Sequence, residues 1–483
     1  MFDAKLLINA QDVDATGLAV FERRSPISDQ VVTIASAATV EDARHAANVA
    51  AAAFPAWSQM GPAYRRDVLV KAADKLVEMQ PAFTEAMYDE LGATREWAEF
   101  NVAIARDILI EAASMTTSVT GEVVPSSRPG SVSLAYRQPV GVCLGIAPWN
   151  APVILGVRAI AMALACGNTV LLKGSELCPR THRLIGEVMH GAGLPAGVLN
   201  VILNAPADAE KIVHALIEHP AVRRINFTGS TRVGRQIAEK AARHLKRCLL
   251  ELGGKAPLIV LDDADIDEAV KAAAFGAFMN QGQICMSTER IILHEAIADA
   301  FIAKFVARAR QIIAGDTRSQ QFTLGPVINE FAAGRIRALI TDAVSKGAEV
   351  LCGGAMQGNF LDATVLDKVT PAMRVYEEES FGPLVSLLRA GSDDEAVTIA
   401  NASEYGLSSA IFSRDIARAL SIARRVESGI CHINGATVAD EPQMPFGGVK
   451  ASGYGRFGGV SALDEFTELR WISIESGPAA YPI

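Results

Sequence analysis

Between residues 140 and 250, five apolar runs, at 140–146, 169–173, 198–202, 224–228 and 246–250, alternate with stretches of helical periodicity. A strand that returns to its sheet through a helix lies parallel to its predecessor, because a tight turn joins only antiparallel neighbours. The alternation therefore specifies a doubly wound parallel sheet, in which ligands sit outside the carboxyl ends of the strands. A second alternation begins near Pro257 and runs to about residue 435, with strands expected at 258–261, 290–294 and 383–388. The fold class is α/β, with two such units.

The preceding third of the chain reads differently. Short alternating runs over residues 5–35, broken by Gly17 and Pro26, suggest small strands in a peripheral sheet. Thr39 and Asp42 form a candidate capping box ahead of an alanine-rich helix that should end at Phe54, before Pro55. Helices are expected over 62–92 and 96–118. A β-hairpin around Pro129-Gly130 should occupy 120–139. Residues 153–166 are apolar nearly all round except at Arg158, the pattern of a buried helix.

Several functions are excluded at this level. The net charge is -9 and the basic clusters, such as Arg223-Arg224 and Lys246-Arg247, are too short for a nucleic-acid tract. The start of the chain lacks the pattern of a secretion signal, and Arg158 interrupts the nearest approach to a membrane span, so neither export nor a membrane is expected. Seven cysteines, an odd number without a CxxC pair, fit a reducing cytoplasm. The eight histidines include no HExxH, and His214 and His219 fall on opposed helix faces as surface residues, so no metal site is expected.

Chemistry-bearing residues gather at strand ends. Cys285 stands in Asn280-Gln-Gly-Gln-Ile-Cys-Met after a helical run; it is either a small core residue or a nucleophile kept as thiolate by a nearby base or backbone dipoles. The stretch from Phe227 to Gly234 runs strand, glycine turn, helix, and reads as a pyrophosphate cradle or an ordinary strand–helix turn. Lys173 and Glu176 at another strand end suit ribose hydroxyls or form a surface ion pair. Glu251 ends the last strand of the first series and Asn150 follows the first strand; a carboxylate against apolar walls suits a general base, and an amide suits an oxyanion.

Together, PWN at 148–150, KGSE at 173–176, FTGSTRVG at 227–234, ELGGK at 251–255, GQIC at 282–285, EEESFGP at 377–383 and PFGGVKASGYGR at 445–456 resemble the aldehyde dehydrogenase superfamily in content, order and spacing. The resemblance implies an NAD-binding domain from 1–119 and 140–250, a catalytic domain at 251–440, and an oligomerisation element from 120–139 and 460–483. A homodimer or homotetramer would follow by sheet extension. It implies Cys285 as nucleophile, Glu251 as general base and Asn150 as oxyanion donor. NAD would be held by Trp149, Lys173, Glu176, Phe227, Thr228, Gly229, Ser230, Val233, Gly234, Leu252, Glu379 and Phe381. By the same resemblance the Glu176 carboxylate would stand where the 2′-phosphate of NADP has to sit, so NAD should be preferred. Ser380 departs from the aliphatic residue often found in that motif.

The stretch from Ala147 to His182 is most similar to the aromatic-aldehyde branch, the salicylaldehyde, vanillin and benzaldehyde dehydrogenases; aliphatic aldehydes, semialdehydes and a catalytically silent member are the alternatives. Leu155, Met279, Ile284, Met286 and Phe446 would then wall the aldehyde tunnel. Arg158 either joins them, donating to a ring oxygen, or pairs structurally with a carboxylate.

Overall fold

A computed structural model describes residues 2–319, 321–477, 481 and 483 of the chain. Met1, residue 320 and residues 478–480 and 482, which fall within the three segments expected above, lie outside it. Among the described residues the first sheet has eight strands in the order Gly453–Tyr454, Arg247–Glu251, Val222–Thr228, Val142–Ile146, Thr169–Lys173, Leu199–Ile202, Leu6–Ile8, Gln11–Val13. The five central strands are parallel and correspond to the five apolar runs. Their near-continuous burial is what a sheet covered on both faces requires.

The second sheet has seven strands, Glu349–Cys352, Thr364–Asp367, Leu384–Ala390, Thr288–His294, Ala256–Val260, Ser408–Phe412 and Ile430–Ile433. All pair in parallel except the first. Side chains alternate strictly between its faces. Leu258, Val260, Ile291 and Leu293 enter one core with the Ile266–Phe278 and Glu295–Ala309 helices, while Ile259 and Ile292 enter another with Glu330–Ser345. Both units thus carry the doubly wound α/β architecture expected from the sequence.

Four local expectations are corrected. Residues 5–35 are not all peripheral: Leu6–Ile8 and Gln11–Val13 extend the first sheet antiparallel to Leu199–Ile202, and only Phe2–Ala4, Val20–Arg24 and Val31–Ser36 form a separate sheet. The first helix, Val40–Ser58, keeps its Thr39–Asp42 capping box but runs through Pro55, because Trp57, buried to 1% exposure, anchors the turn beyond the lost N–H donor. The helix expected over 62–92 divides into Pro62–Glu78 and Gln80–Leu91 at Met79, two residues before Pro81. His214 and His219 are half-buried rather than on the surface, and His219 Nε2 meets Asn48 at 3.1 Å.

A further break bears on the site. The segment expected as one helix is two, Pro152–Arg158 and Ala161–Ala165. The Ala159 carbonyl accepts from Asn226 Nδ2 at 3.1 Å, and a side chain on Gly145 would meet that same carbonyl at 2.8 Å. The turn between the helices therefore seats on the sheet through a glycine, with Arg158 at the C-terminal end of the first helix.

The hairpin forms as expected, Gly121–Val124 with Ser131–Pro139. Its longer strand pairs antiparallel along its whole length with Thr467–Glu475, giving a three-stranded sheet on which Val123, Leu469 and Trp471 are exposed. Among the described residues no helix is long and apolar enough to cross a membrane.

Candidate active site

Because Arg247–Glu251, Val222–Thr228, Val142–Ile146 and Thr169–Lys173 are adjacent and parallel, their carboxyl ends line up along one edge of the first sheet. Glu251, Thr228 and Lys173 are the last residues of three of them, and the fourth leads to Trp149 and Asn150. A doubly wound sheet thereby assembles groups that are up to about a hundred residues apart in the chain.

Cys285 follows the Ile266–Phe278 helix on a turn in which Asn280, Gln281 and Gly282 all have positive φ, 48°, 58° and 67°. Two successive non-glycine residues in that region are costly, so the turn needs outside support. Gln281 Nε2 donates to Pro326 O at 3.2 Å, and Gln283 Oε1 accepts from Ile328 N at 2.9 Å. Gly282 packs so closely on Gly382 O that a side chain there would lie 2.1 Å from it. The turn is also locked to the Asn150 loop: Asn150 Nδ2 donates to Gln283 O at 3.0 Å, and Asn280 Nδ2 donates to Asn150 O at 3.0 Å. Trp97 Nε1, on the Arg95–Met115 helix, donates to the same carbonyl at 3.1 Å. One Asn150 amide hydrogen remains for another acceptor.

Glu251 is 1% exposed, and neither of its carboxylate oxygens has a hydrogen-bond partner of ordinary geometry among the described residues. Burial pushes its carboxyl up to about 7; the neighbouring Cys285 thiol and the Arg158 guanidinium offset burial only in part. Burial, then the Glu251 charge, pushes the Cys285 thiol well above its ordinary value. The turn lies beyond the helix C-terminus, where the backbone dipole is negative, so dipoles do not hold a thiolate here. The base beside the sulfur is the group that can take its proton.

A cavity of about 280 Å³ opens onto Cys285 and Asn150. Leu155, Arg158, Met279, Ile284, Met286 and Phe446, all singled out in the sequence, line it. The sequence did not single out Trp97, Phe100, Phe275, Val438 or Asp440, which line it too. Trp97 and Phe100 stack with centroids 5.5 Å apart. Arg158 both lines the cavity and pairs with a carboxylate: its Nη2 is 2.5 Å from Asp440 Oδ2, and its guanidinium lies 4.4 Å from the Phe446 ring centre. The two readings of Arg158 were therefore not exclusive. Its need for a partner was the only signal in the sequence that could have pointed to Asp440, 282 residues away.

At the opposite side of the same strand ends lies a cleft of about 500 Å³, whose walls include Ser230, Arg232, Arg335, Glu379 and Tyr405. Ser230 caps the Thr231–Ala242 helix by accepting from Val233 N at 3.4 Å. A side chain on Gly229 would strike the Phe227 ring at 2.5 Å, and one on Gly234 would strike Leu252 at 2.5 Å, so either would force Phe227 or Leu252 to move. Lys173 is buried, with Nζ 3.0 Å from Glu176 Oε2, and Glu176 is 26% exposed: the two form an ion pair, with the cation inside rather than on the surface. Burial opposes the Glu176 charge, but the Lys173 ammonium and the hydrogen bonds from Lys173 and the Glu176 backbone N–H together hold the carboxyl below its usual range.

Glu379 accepts from Gly254 N at 2.9 Å, and burial, then the Glu289 charge, pushes it up to about 7. Its loop is tied from behind by Glu289, which pairs with buried Lys255 and accepts from Ser380 N at 2.8 Å and Phe381 N at 3.1 Å. Phe381, with φ 47°, meets Trp149 edge-on at 5.7 Å. Ser380, where the motif departs, is buried beneath this loop.

A thiol beside an unpartnered buried carboxyl, on the carboxyl edge of a doubly wound sheet, defines the class: residues 13–472 match the model of the aldehyde dehydrogenase family, and the chain belongs to that family. It is 57% identical over 483 residues to the vanillin dehydrogenase of Pseudomonas fluorescens, covering 100% of both chains. It is 52% identical over 479 residues to the salicylaldehyde dehydrogenase of Pseudomonas putida, covering 99% of both, and 40% identical to a benzaldehyde dehydrogenase [NAD(+)] of Pseudomonas putida, covering 95% of this chain and 93% of that one. The crystal structure of a salicylaldehyde dehydrogenase from Pseudomonas putida G7 complexed with salicylaldehyde superimposes with a TM-score of 0.98 at 50% identity, covering 100% of both chains.

Proposed function

We propose that the protein oxidises an aromatic aldehyde to its carboxylic acid with NAD, through Cys285. The single observation that carries this reading is the cavity of about 280 Å³ with Cys285 at its end, walled by aromatic, aliphatic and sulfur-containing side chains. Such walls suit a flat ring. The names of the vanillin, salicylaldehyde and benzaldehyde relatives support the same substrate class.

In the proposed mechanism Glu251 takes the thiol proton and the Cys285 sulfur adds to the aldehyde carbon. The free Asn150 amide hydrogen and the Cys285 backbone N–H donate to the oxygen that becomes negative. NAD, when bound, accepts the hydride that leaves the same carbon. Glu251 gives that proton up to solvent and then takes one from water, whose oxygen attacks the thioester carbon; the acid leaves, the C–S bond breaks, and the Glu251 proton returns to the Cys285 sulfur. A carboxyl with a pKa near 7 is part-ionised at neutral pH, as a base used twice in one cycle needs to be.

The residues present fit NAD. At Gly229 and Gly234 no side chain stands between backbone and ligand, and the Thr231–Ala242 helix directs its N-terminal N–H groups there. Ser230 and Val233 belong to this turn; Phe227, Thr228 and Leu252 support it from the strand ends. Lys173 and the Glu176 carboxylate would hold the adenosine ribose, and Glu379, with Phe381 and Trp149, the nicotinamide end. On this reading residues 1–119 and 140–250 form the NAD-binding domain and 251–440 the catalytic domain, with Gly453–Tyr454 returning to complete the first sheet. The three-stranded sheet with its exposed Val123, Leu469 and Trp471 supports a homodimer or homotetramer built by sheet extension. Seven free cysteines support a cytoplasmic location.

The test is a panel of aromatic and aliphatic aldehydes offered with NAD and NADP, following reduced cofactor and acid. Benzaldehydes should be oxidised with the highest efficiency, and Cys285→Ala should abolish turnover while leaving NAD binding intact. Faster turnover of short aliphatic aldehydes, or retained activity in Cys285→Ala, would overturn the assignment.

A further inference from the structure

A lone guanidinium in an apolar cavity is a receptor for carboxylates, because its planar fork matches two oxygens at once. On that ground alone Arg158 would invite semialdehydes and formylbenzoates. Its surroundings say otherwise. Arg158 and Asp440 are paired at 2.5 Å with side chains only 6% and 8% exposed, so little water screens them. The Phe446 ring lies against the guanidinium. Asp440 Oδ1 is buried and has no hydrogen-bond partner among the described residues, leaving Arg158 alone to balance its charge.

The other charged groups at the cavity are acidic. Glu441 lines the same cavity, and Glu251 faces Cys285 from the strand end. A small adjoining cavity, on the other side of Arg158 and Phe446, is lined by Glu111 as well as Glu441. Among the described residues Arg158 is the only cation lining the aldehyde cavity. A substrate carboxylate would therefore meet more negative than positive charge, and would have to displace Asp440 to reach the guanidinium.

We propose that Asp440 is a specificity-determining residue: by occupying Arg158 it restricts the enzyme to aromatic aldehydes with an uncharged ring and excludes aldehydes that carry a carboxylate. This rests on the aromatic-aldehyde reading above and narrows it. Asp440→Asn keeps the size of the side chain and an oxygen for Arg158, but removes the charge, turning a neutral pair into a net cation facing the ring.

The experiment measures kcat/KM for benzaldehyde, 4-hydroxybenzaldehyde and 4-formylbenzoate with wild type, Asp440→Asn and the double variant Asp440→Asn/Arg158→Gln. In the wild type 4-formylbenzoate should be at least about tenfold poorer than benzaldehyde, as expected for burying like charges together. Asp440→Asn should raise the ratio of 4-formylbenzoate to benzaldehyde at least about fivefold, chiefly through KM, and the double variant should lose that gain. A wild-type penalty below tenfold, or a ratio that Asp440→Asn leaves unchanged, overturns the proposal. Should Asp440→Asn fail to fold, the wild-type ratio and Asp440→Ser decide. If the wild type oxidises none of the three, the aromatic reading itself fails; if it oxidises benzaldehyde without the carboxylate penalty, only the role of Asp440 fails.

Discussion

Trp97 donates its indole N–H to the Asn150 carbonyl oxygen at 3.1 Å, from a helix that begins only two residues earlier. Asn280 reaches the same oxygen at 3.0 Å, so the loop that presents the Asn150 amide is held from two elements at once. On the proposed mechanism Asn280 acts as a positioning residue, through Asn150. Asn280→Ala should lower kcat about tenfold, as a lost buried hydrogen bond to the oxyanion loop implies, with KM little changed. Trp97→Phe, which keeps the ring, should cost less. A rise in KM with kcat unchanged would mean that these contacts shape the cavity only.

Replacing Glu251 by Gln should slow acid release far more than formation of reduced cofactor. A burst of absorbance, followed by a slow steady state, is the expected trace in stopped flow. Equal loss of burst and steady rate would assign Glu251 another role. In the wild type, the steady rate should climb with pH through about 7, where this carboxyl ionises.

The same carboxyl makes stability depend on pH. Its folded pKa lies above that of an unfolded glutamate, about 4.3, so the folded chain holds the proton more tightly and loses stability as pH rises from about 4 through about 7. Glu251→Gln should remove this loss, gaining up to about 3 kcal/mol over wild type at pH 8 and little at pH 4. Melting temperatures at the two pH values check it; a difference that does not grow with pH contradicts it.

Glu176 remains charged beside Lys173 and would face the 2′-phosphate of NADP. NAD should be preferred at least about tenfold in kcat/KM, and Glu176→Gln should narrow the preference several-fold. Equal efficiency with the two cofactors in the wild type would sink this.

Arg158→Leu strands Asp440 as an uncompensated buried charge and should cost about 3–5 kcal/mol in denaturant unfolding. Arg158→Leu/Asp440→Leu should recover most of that. In the stable double variant, efficiency should still fall several-fold more for hydroxylated benzaldehydes than for benzaldehyde, because the donor to a ring oxygen is gone. Equal losses would leave Arg158 a structural residue.

The parallel strands were legible because each is a short apolar run bounded by polar turns, and the motifs were legible because they terminate those runs. The Val153-to-Cys166 break was not, since it depends on Asn226 claiming the Ala159 carbonyl across the sheet. Pro55 misled for a similar reason: a buried Trp57 outweighs a missing donor only when the surrounding packing is known. Asp440 escaped notice because an irregular segment has no periodicity to betray which side chains turn inward. Asn280, though inside a quoted motif, showed nothing in sequence of its hold on a carbonyl 130 residues earlier.

Gly453 pairs with Glu251 at one edge of the first sheet, while Leu6–Ile8 and Gln11–Val13 close the other. The two margins of a single layer thus come from segments about 440 residues apart in the chain. During synthesis the strands at one margin leave the ribosome hundreds of residues before the strand that flanks Glu251, so the sheet cannot close around that carboxyl until the later strand has emerged. The Glu251 strand is therefore the last of that layer to gain its outer neighbour.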